Sequence, residues 1–108
     1  MLPKKNRADR KAIEKIFKEG KFLNSSNLTF KFLLNKNSLA PQISFIAPKG
    51  VAKLAVKRNL LRRHGYTALS RYINQFPLGI VGAFLYKKAQ SDVLIIENEI
   101  KNILSKIN

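Results

Sequence analysis

Residues 53–66 read KLAVKRNLLRRHGY: five lysines and arginines and one histidine, threaded by Leu54, Val56, Leu60 and Leu61 at near-helical spacing. At about 100° per residue, Arg58, Asn59, Arg62 and Arg63 fall on one broad arc, joined by Tyr66 and the small Ala55 and Ser70. Leu54, Leu61, Ala68 and Tyr72 fall on another. The spacing predicts a helix from about Leu54 to Asn74, weakened at Gly65, with one side seated on a core and the other a blade of cations. Lys53 and Lys57 widen the field at its start, the Lys57 stem lying close to the apolar arc.

A helix with one apolar side needs a partner surface, and the flanking sequence supplies strands. NLTFKFLLN alternates, with Leu28, Phe30, Phe32 and Leu34 on one face and Thr29, Lys31 and Leu33 on the other. NKNS reads as a turn, and after Pro41 QISFIA reads as a second strand pairing with the first as a hairpin. IVGAFLYKK, rich in β-branched and aromatic residues, reads as a buried third strand. Asp9 to Glu19 forms a first helix, capped by Asp9 and stopped at Gly20, with Ile13, Ile16 and Phe17 on one face. Ser91 or Asp92 caps a last helix along the stripe Val93, Ile96, Ile100, Ile103, Leu104 and Ile107. The order helix, strand, strand, helix, strand, helix gives an α+β two-layer sandwich, a small sheet covered on one side by helices and open on the other.

The chain has 108 residues, enough for a single domain spanning 1–108. It has no cysteine, which excludes disulfides, thiolate metal sites and cysteine nucleophiles. The start, MLPKKNRADRK, lacks the apolar stretch of a signal peptide. The longest apolar run, LGIVGAFLY, is well short of the roughly 18 residues of a membrane span. A soluble, cytoplasmic protein is expected.

Twenty-one lysines and arginines against six acids give a net charge of +15. Self-repulsion on that scale is most simply offset by a polyanionic partner. A charge run is usually a solvated face, but solvated runs interleave both signs, and here no Asp or Glu occurs between residues 20 and 91. Catalytic groups are scarce: His64 is the sole histidine, and the acids Asp9, Glu14, Glu19, Asp92, Glu97 and Glu99 belong to the two terminal helices. No catalytic residue and no metal ligand is assigned. His64 reads as a structural residue or a contact to the polyanionic partner.

The residues AVKRNLLRR resemble the signature of the bacterial ribonuclease P protein component, matched at Ala55, Val56, Arg58, Asn59, Arg62 and Arg63. IEKIFKEGK is similar to that family's first helix, at Ile13, Ile16, Phe17 and Gly20. Three features depart from the family pattern. Leu60 replaces the second arginine of Arg-Asn-Arg, Lys53 stands one residue further from Arg58 than the usual lysine, and HGY replaces a more helical continuation.

The resemblance implies a mixed sheet in a ribosomal-protein-S5-domain-2-like sandwich with a left-handed βαβ crossover, an exception to the usual hand. It implies the protein subunit of an endoribonuclease ribonucleoprotein that matures the 5′ end of tRNA. The resemblance further implies that the RNA carries the chemistry, with Mg²⁺ bound mainly by RNA, and that the isolated protein is inactive. The implied partners are ribonuclease P RNA and precursor tRNA, with no membrane and no required protein partner. Lys53, Lys57, Arg58, Asn59, Arg62, Arg63 and Tyr66 are then expected on the catalytic RNA. Phe17, Phe30, Lys31 and Phe32 are expected to form a cleft for the 5′ leader, where aromatics stack unpaired bases; for the three phenylalanines, ordinary core packing is the alternative. A ribosomal-type RNA-binding protein is the alternative function, and a DNA-binding helix module a third.

Overall fold

The computed structural model describes residues 6–34 and 40–107. The turn expected at NKNS falls outside the described residues. Helix α1, Arg10–Glu19, begins where the Asp9 carboxylate accepts the Ala12 N–H at 2.8 Å and ends where the Gly20 N–H donates to the Ile16 carbonyl. Strands β1, Lys21–Asn24, β2, Leu28–Leu34, and β3, Gln42–Ile46, follow. Helix α2, Ala55–Ser70, leads through a 3₁₀ turn, Ile73–Gln75, to β4, Ile80–Tyr86, and then to α3, Val93–Ile107. Asp92 rather than Ser91 caps α3, its Oδ1 accepting the Leu94 N–H.

The sheet order is β1-β2-β4-β3, with β1–β2 and β2–β4 antiparallel and β3–β4 parallel. The expected hairpin between the strands at Leu28 and Gln42 is therefore incorrect, because β4 lies between them. The physical reason lies in β4 itself: all but one of its residues are buried, a pattern suited to a central strand covered on both faces. The hairpin that does form joins β2 to β1, a strand too short and too polar to be read from alternation. Its turn is tied by Ser25 and Asn27, which converge on the Glu99 carboxylate of α3; the Asn27 N–H donates at 2.7 Å.

The sheet is covered on both faces, which corrects the expected one-sided arrangement. Leu28, Phe30, Ile43, Phe45, Ile80, Phe84 and Tyr86 share one face and form the main core with Leu61, Ala68 and Leu69 of α2 and Ile96, Ile100, Ile103 and Leu104 of α3. On the other face Val81 and Leu33 receive Ile16, Ala12 and Ile13 of α1, together with Ala8. Leu54, assigned from sequence to the apolar arc of α2, is the N-cap residue and is 60% exposed.

Two glycines permit this packing. A Cβ on Gly82 would lie 2.6 Å from the Phe30 ring, and one on Gly65 would lie 2.4 Å from the Phe45 ring. Gly65 is thus no weak point in α2: it is the position where the helix rests on β3. The helix ends at Ser70, before the expected Asn74, and the Tyr86 hydroxyl fastens it to β4 by donating to the Leu61 carbonyl at 2.7 Å. Burial, with a smaller contribution from Glu99, pushes the Tyr86 phenol well above its ordinary value.

Candidate nucleic-acid interface

Because Leu61, Gly65, Ala68 and Leu69 of α2 face the core, Lys57, Asn59 and Arg63 are turned to solvent and Arg62 is partly so. Lys53 is exposed just before the helix. The N-cap Leu54 makes no side-chain capping bond, and the first turn has no acid. The free N–H groups at that end therefore add partial positive charge to the lysines around them. Asn59 and Arg62 are joined by a hydrogen bond between Asn59 Oδ1 and Arg62 Nη2, holding the guanidinium along the helix surface.

Two residues of the expected set also have structural duties. Arg58 is half-buried, and its Nη1 donates to the Ala52 and Lys53 carbonyls at 3.0 and 2.7 Å, fixing the approach to α2. Tyr66 accepts the Phe45 N–H at 3.1 Å, filling a donor on the outer edge of β3. Over the Tyr66 ring, 4.8 Å from its centroid, sits the Arg7 guanidinium. Arg7 thus joins this surface from the N-terminal segment, a placement that sequence spacing could not reveal. Neighbouring anchors hold the segment: Asn6 donates to the Pro41 carbonyl, and the Ser44 hydroxyl donates to the Ala8 carbonyl. His64 is half-buried, with its Nδ1 shut from solvent and without a hydrogen bond.

The expected aromatic cleft is divided by the sheet. Phe30 is wholly buried in the main core, stacked between Phe32 and Phe84 at centroid distances of 5.3 and 4.3 Å. Phe32, two residues on, points to the same face and packs against that core. Neither side chain faces α1, because the two-residue period of the strand sends them to the α2–α3 side. This corrects their assignment to a cleft beside α1.

Phe17 and Lys31 do come together, with Lys31 Nζ 4.9 Å from the Phe17 centroid. Phe22 of β1 stands directly across the ladder from Lys31, on the same face. Phe17 is 44% exposed and Phe22 62%, so two accessible rings flank one cation. Phe22 was not singled out from sequence, since its strand is only four residues long. Beside α1, a groove of about 480 Å³ is lined by Lys11, Ala12, Lys15, Glu19, Leu33, Leu34, Gln42 and Val81.

The family model for Ribonuclease P matches residues 2–108. The chain belongs to the ribonuclease P protein family. Among solved structures, the RNase P protein from Thermotoga maritima superposes with a TM-score of 0.80 at 23% identity, over 94% of this chain and 97% of that one. The RNase P protein of Staphylococcus aureus superposes with a TM-score of 0.78 at 16% identity, over 94% and 93%. At such identities these likenesses speak for the fold. No curated protein matches the sequence.

As a ribonuclease P protein, the chain is a subunit of a ribonuclease, with ribonuclease P RNA as partner and tRNA processing as its setting. Its departures from the family pattern acquire positions. Leu60 projects from α2, 42% exposed, where the family's second arginine would stand. The HGY segment continues the helix without a break, through the contact of Gly65 with Phe45.

Proposed function

We propose that the outward face of α2 binds ribonuclease P RNA through Lys53, Lys57, Asn59, Arg62 and Arg63, while Arg58 and Tyr66 hold the helix in place as well as contributing to that face. The observation that carries this reading is a helix N-terminus without acids, surrounded by cations, on a chain of net charge +15. Guanidinium forks suit two-point contacts with phosphate, and backbone phosphates dominate such binding.

The 5′ leader of precursor tRNA is proposed to cross the α1 face of the sheet, where Phe17 and Phe22 offer rings to unpaired bases and Lys31 a cation to the backbone. Phosphodiester hydrolysis is assigned to the RNA: water adds at phosphorus, the bond from phosphorus to the leader's 3′ oxygen breaks, and the leader leaves with a 3′ hydroxyl while the 5′ phosphate remains on mature tRNA. Mg²⁺ is likewise assigned to the RNA, because four of this chain's six acids are already engaged by its own groups. Asp9 and Asp92 cap helices, Glu97 pairs with Arg71 at 2.9 Å and Glu99 holds the β1–β2 turn. Among the described residues no three of His, Cys, Asp or Glu gather into a metal-binding group.

The test is 5′ cleavage of precursor tRNA at low Mg²⁺ by the ribonuclease P RNA of the same genome, with and without the protein. Stimulation, with no cleavage by the protein alone, is expected. If about five to eight phosphates are contacted, log affinity should fall against log salt with a slope of roughly −3 to −7. Tight RNA binding without stimulation would favour a ribosomal-type role.

A further inference from the structure

The cationic face of α2 is interrupted by an apolar patch. Val56 and Leu60, four residues apart, share one stripe of the helix, and Val56 is 71% exposed. Leu60 opens onto a recess of about 190 Å³ between the start of α2 and the chain that follows β4. Ala52, Leu60, Leu61 and Ala89 form its apolar lining, and Lys57 and Ser91 supply the polar groups. The nearest acid in sequence, Asp92, uses its Oδ1 to cap α3.

A ligand for this recess must satisfy two conditions at once. It must be anionic, since Lys57 lines the recess, the exposed Lys53 follows its Ala52 directly in the chain, and no acid occurs between residues 20 and 91. It must also present a compact apolar face to Leu60 and Ala89. An unstacked nucleotide joins these features in one chemical unit, a flat ring that stacks or packs on apolar side chains and a phosphate that takes a lysine.

We propose that this recess receives one unpaired nucleobase of the bound ribonuclease P RNA, with Lys57 on that nucleotide's phosphate. The inference rests on the reading of α2 as the RNA-binding face. Leu60 then replaces the family's arginine by a neutral contact, exchanging a phosphate interaction for apolar area.

The experiment measures the affinity of the full chain for the ribonuclease P RNA across a salt series, for wild type, Ala89→Leu, Leu60→Ser and Lys57→Ala. Ala89→Leu fills the recess from an exposed position, and Leu60→Ser removes its apolar floor from an exposed helix face. Each should weaken binding roughly tenfold, the scale of one base contact, without changing the salt slope or the thermal unfolding midpoint. Lys57→Ala should make the slope shallower by about 0.7 to 0.9, the share of one phosphate. Wild-type affinity in both Ala89→Leu and Leu60→Ser would overturn the recess while leaving the α2 reading intact. Wild-type protein that binds this RNA no better than an unrelated duplex RNA of equal length would overturn both.

Discussion

Replacing Gly65 by alanine pits helix propensity against packing. In an exposed helix the change would stabilise by about 1 kcal/mol. Here the new Cβ would lie 2.4 Å from Phe45 Cδ1, 2.6 Å from Cε1 and 2.7 Å from Cγ, so ring and helix must separate by about 1 Å to reach the 3.4 Å of ordinary contact. The ring has little room to yield: Phe84 stacks on it at 5.0 Å, Tyr66 meets it edge-on at 5.5 Å and Tyr86 lies at 5.8 Å. Overpacking of a confined core costs about 1–3 kcal/mol, and the upper part of that range applies.

After the propensity gain, the net loss is about 2 kcal/mol. For a domain near 100 residues this lowers the thermal midpoint by roughly 10 °C. Thermal denaturation followed by circular dichroism would measure it. In a Phe45→Leu background the clash is relieved, and Gly65→Ala should become neutral or stabilising. A raised midpoint in the wild-type background, or the same fall in both backgrounds, would refute the seating of α2 on Phe45. Because the cations of α2 are aimed by that seating, the single variant should also bind RNA more weakly.

Arg58→Ala removes two hydrogen bonds to carbonyls before α2 and should destabilise by about 1–2 kcal/mol, visible in the thermal midpoint, whereas Arg62→Ala with Arg63→Ala should leave the midpoint unchanged and make the salt slope of RNA binding shallower. Tyr86→Phe should change the alkaline limb of stability. The folded-state phenol is raised above its ordinary value of 10.0, so its contribution is present below pH 10 and is lost as pH rises beyond it; denaturant titrations should show wild type losing more stability than the variant above pH 10. Glu99→Ala should cost about 2–3 kcal/mol by leaving the backbone and side-chain N–H groups of Asn27 without their acceptor, read by urea unfolding. Phe17→Ala combined with Phe22→Ala should weaken binding of precursor tRNA with a leader while leaving binding of leaderless tRNA unchanged; equal losses for both would remove the leader from the α1 face.

Much of the chain could be read without coordinates, where local physics governs. Asp9 and Gly20 bound α1 because a carboxylate satisfies a free N–H at one end and a side chain would crowd the Ile16 carbonyl at the other. The six-position stripe of α3 marks its buried side. Of the arginine arc of α2, Asn59 and Arg63 are turned to solvent and Arg58 and Arg62 partly so, because Leu61, Ala68 and Leu69 claim the core side. The exposure of Lys53, Lys57, Asn59 and Arg63 was legible for the same reason: charge clusters that no acid balances have few places to go but outward.

The pairing of strands and the assignment of faces required the whole fold. NLTFKFLLN alternates correctly, yet alternation says only that Phe30 and Phe32 share a face, not which helices will lie against it. Sheet order was decided by β4, which arrives from across α2 and separates strands that sequence proximity would join. With β4 central, α2 and α3 cover one face, α1 the other, and the rings available to a ligand become Phe17 and Phe22.

The sequence by itself determined the helices, the cationic surface and the family, because caps, periodicity, charge and motif spacing are properties of neighbouring residues. Tertiary structure alone decided the neighbours of β4, the face of each aromatic, the meeting of Arg7 with Tyr66 and the value of Gly65 as a contact point. Those depend on distances between segments remote in the chain, which close only when a common core is buried.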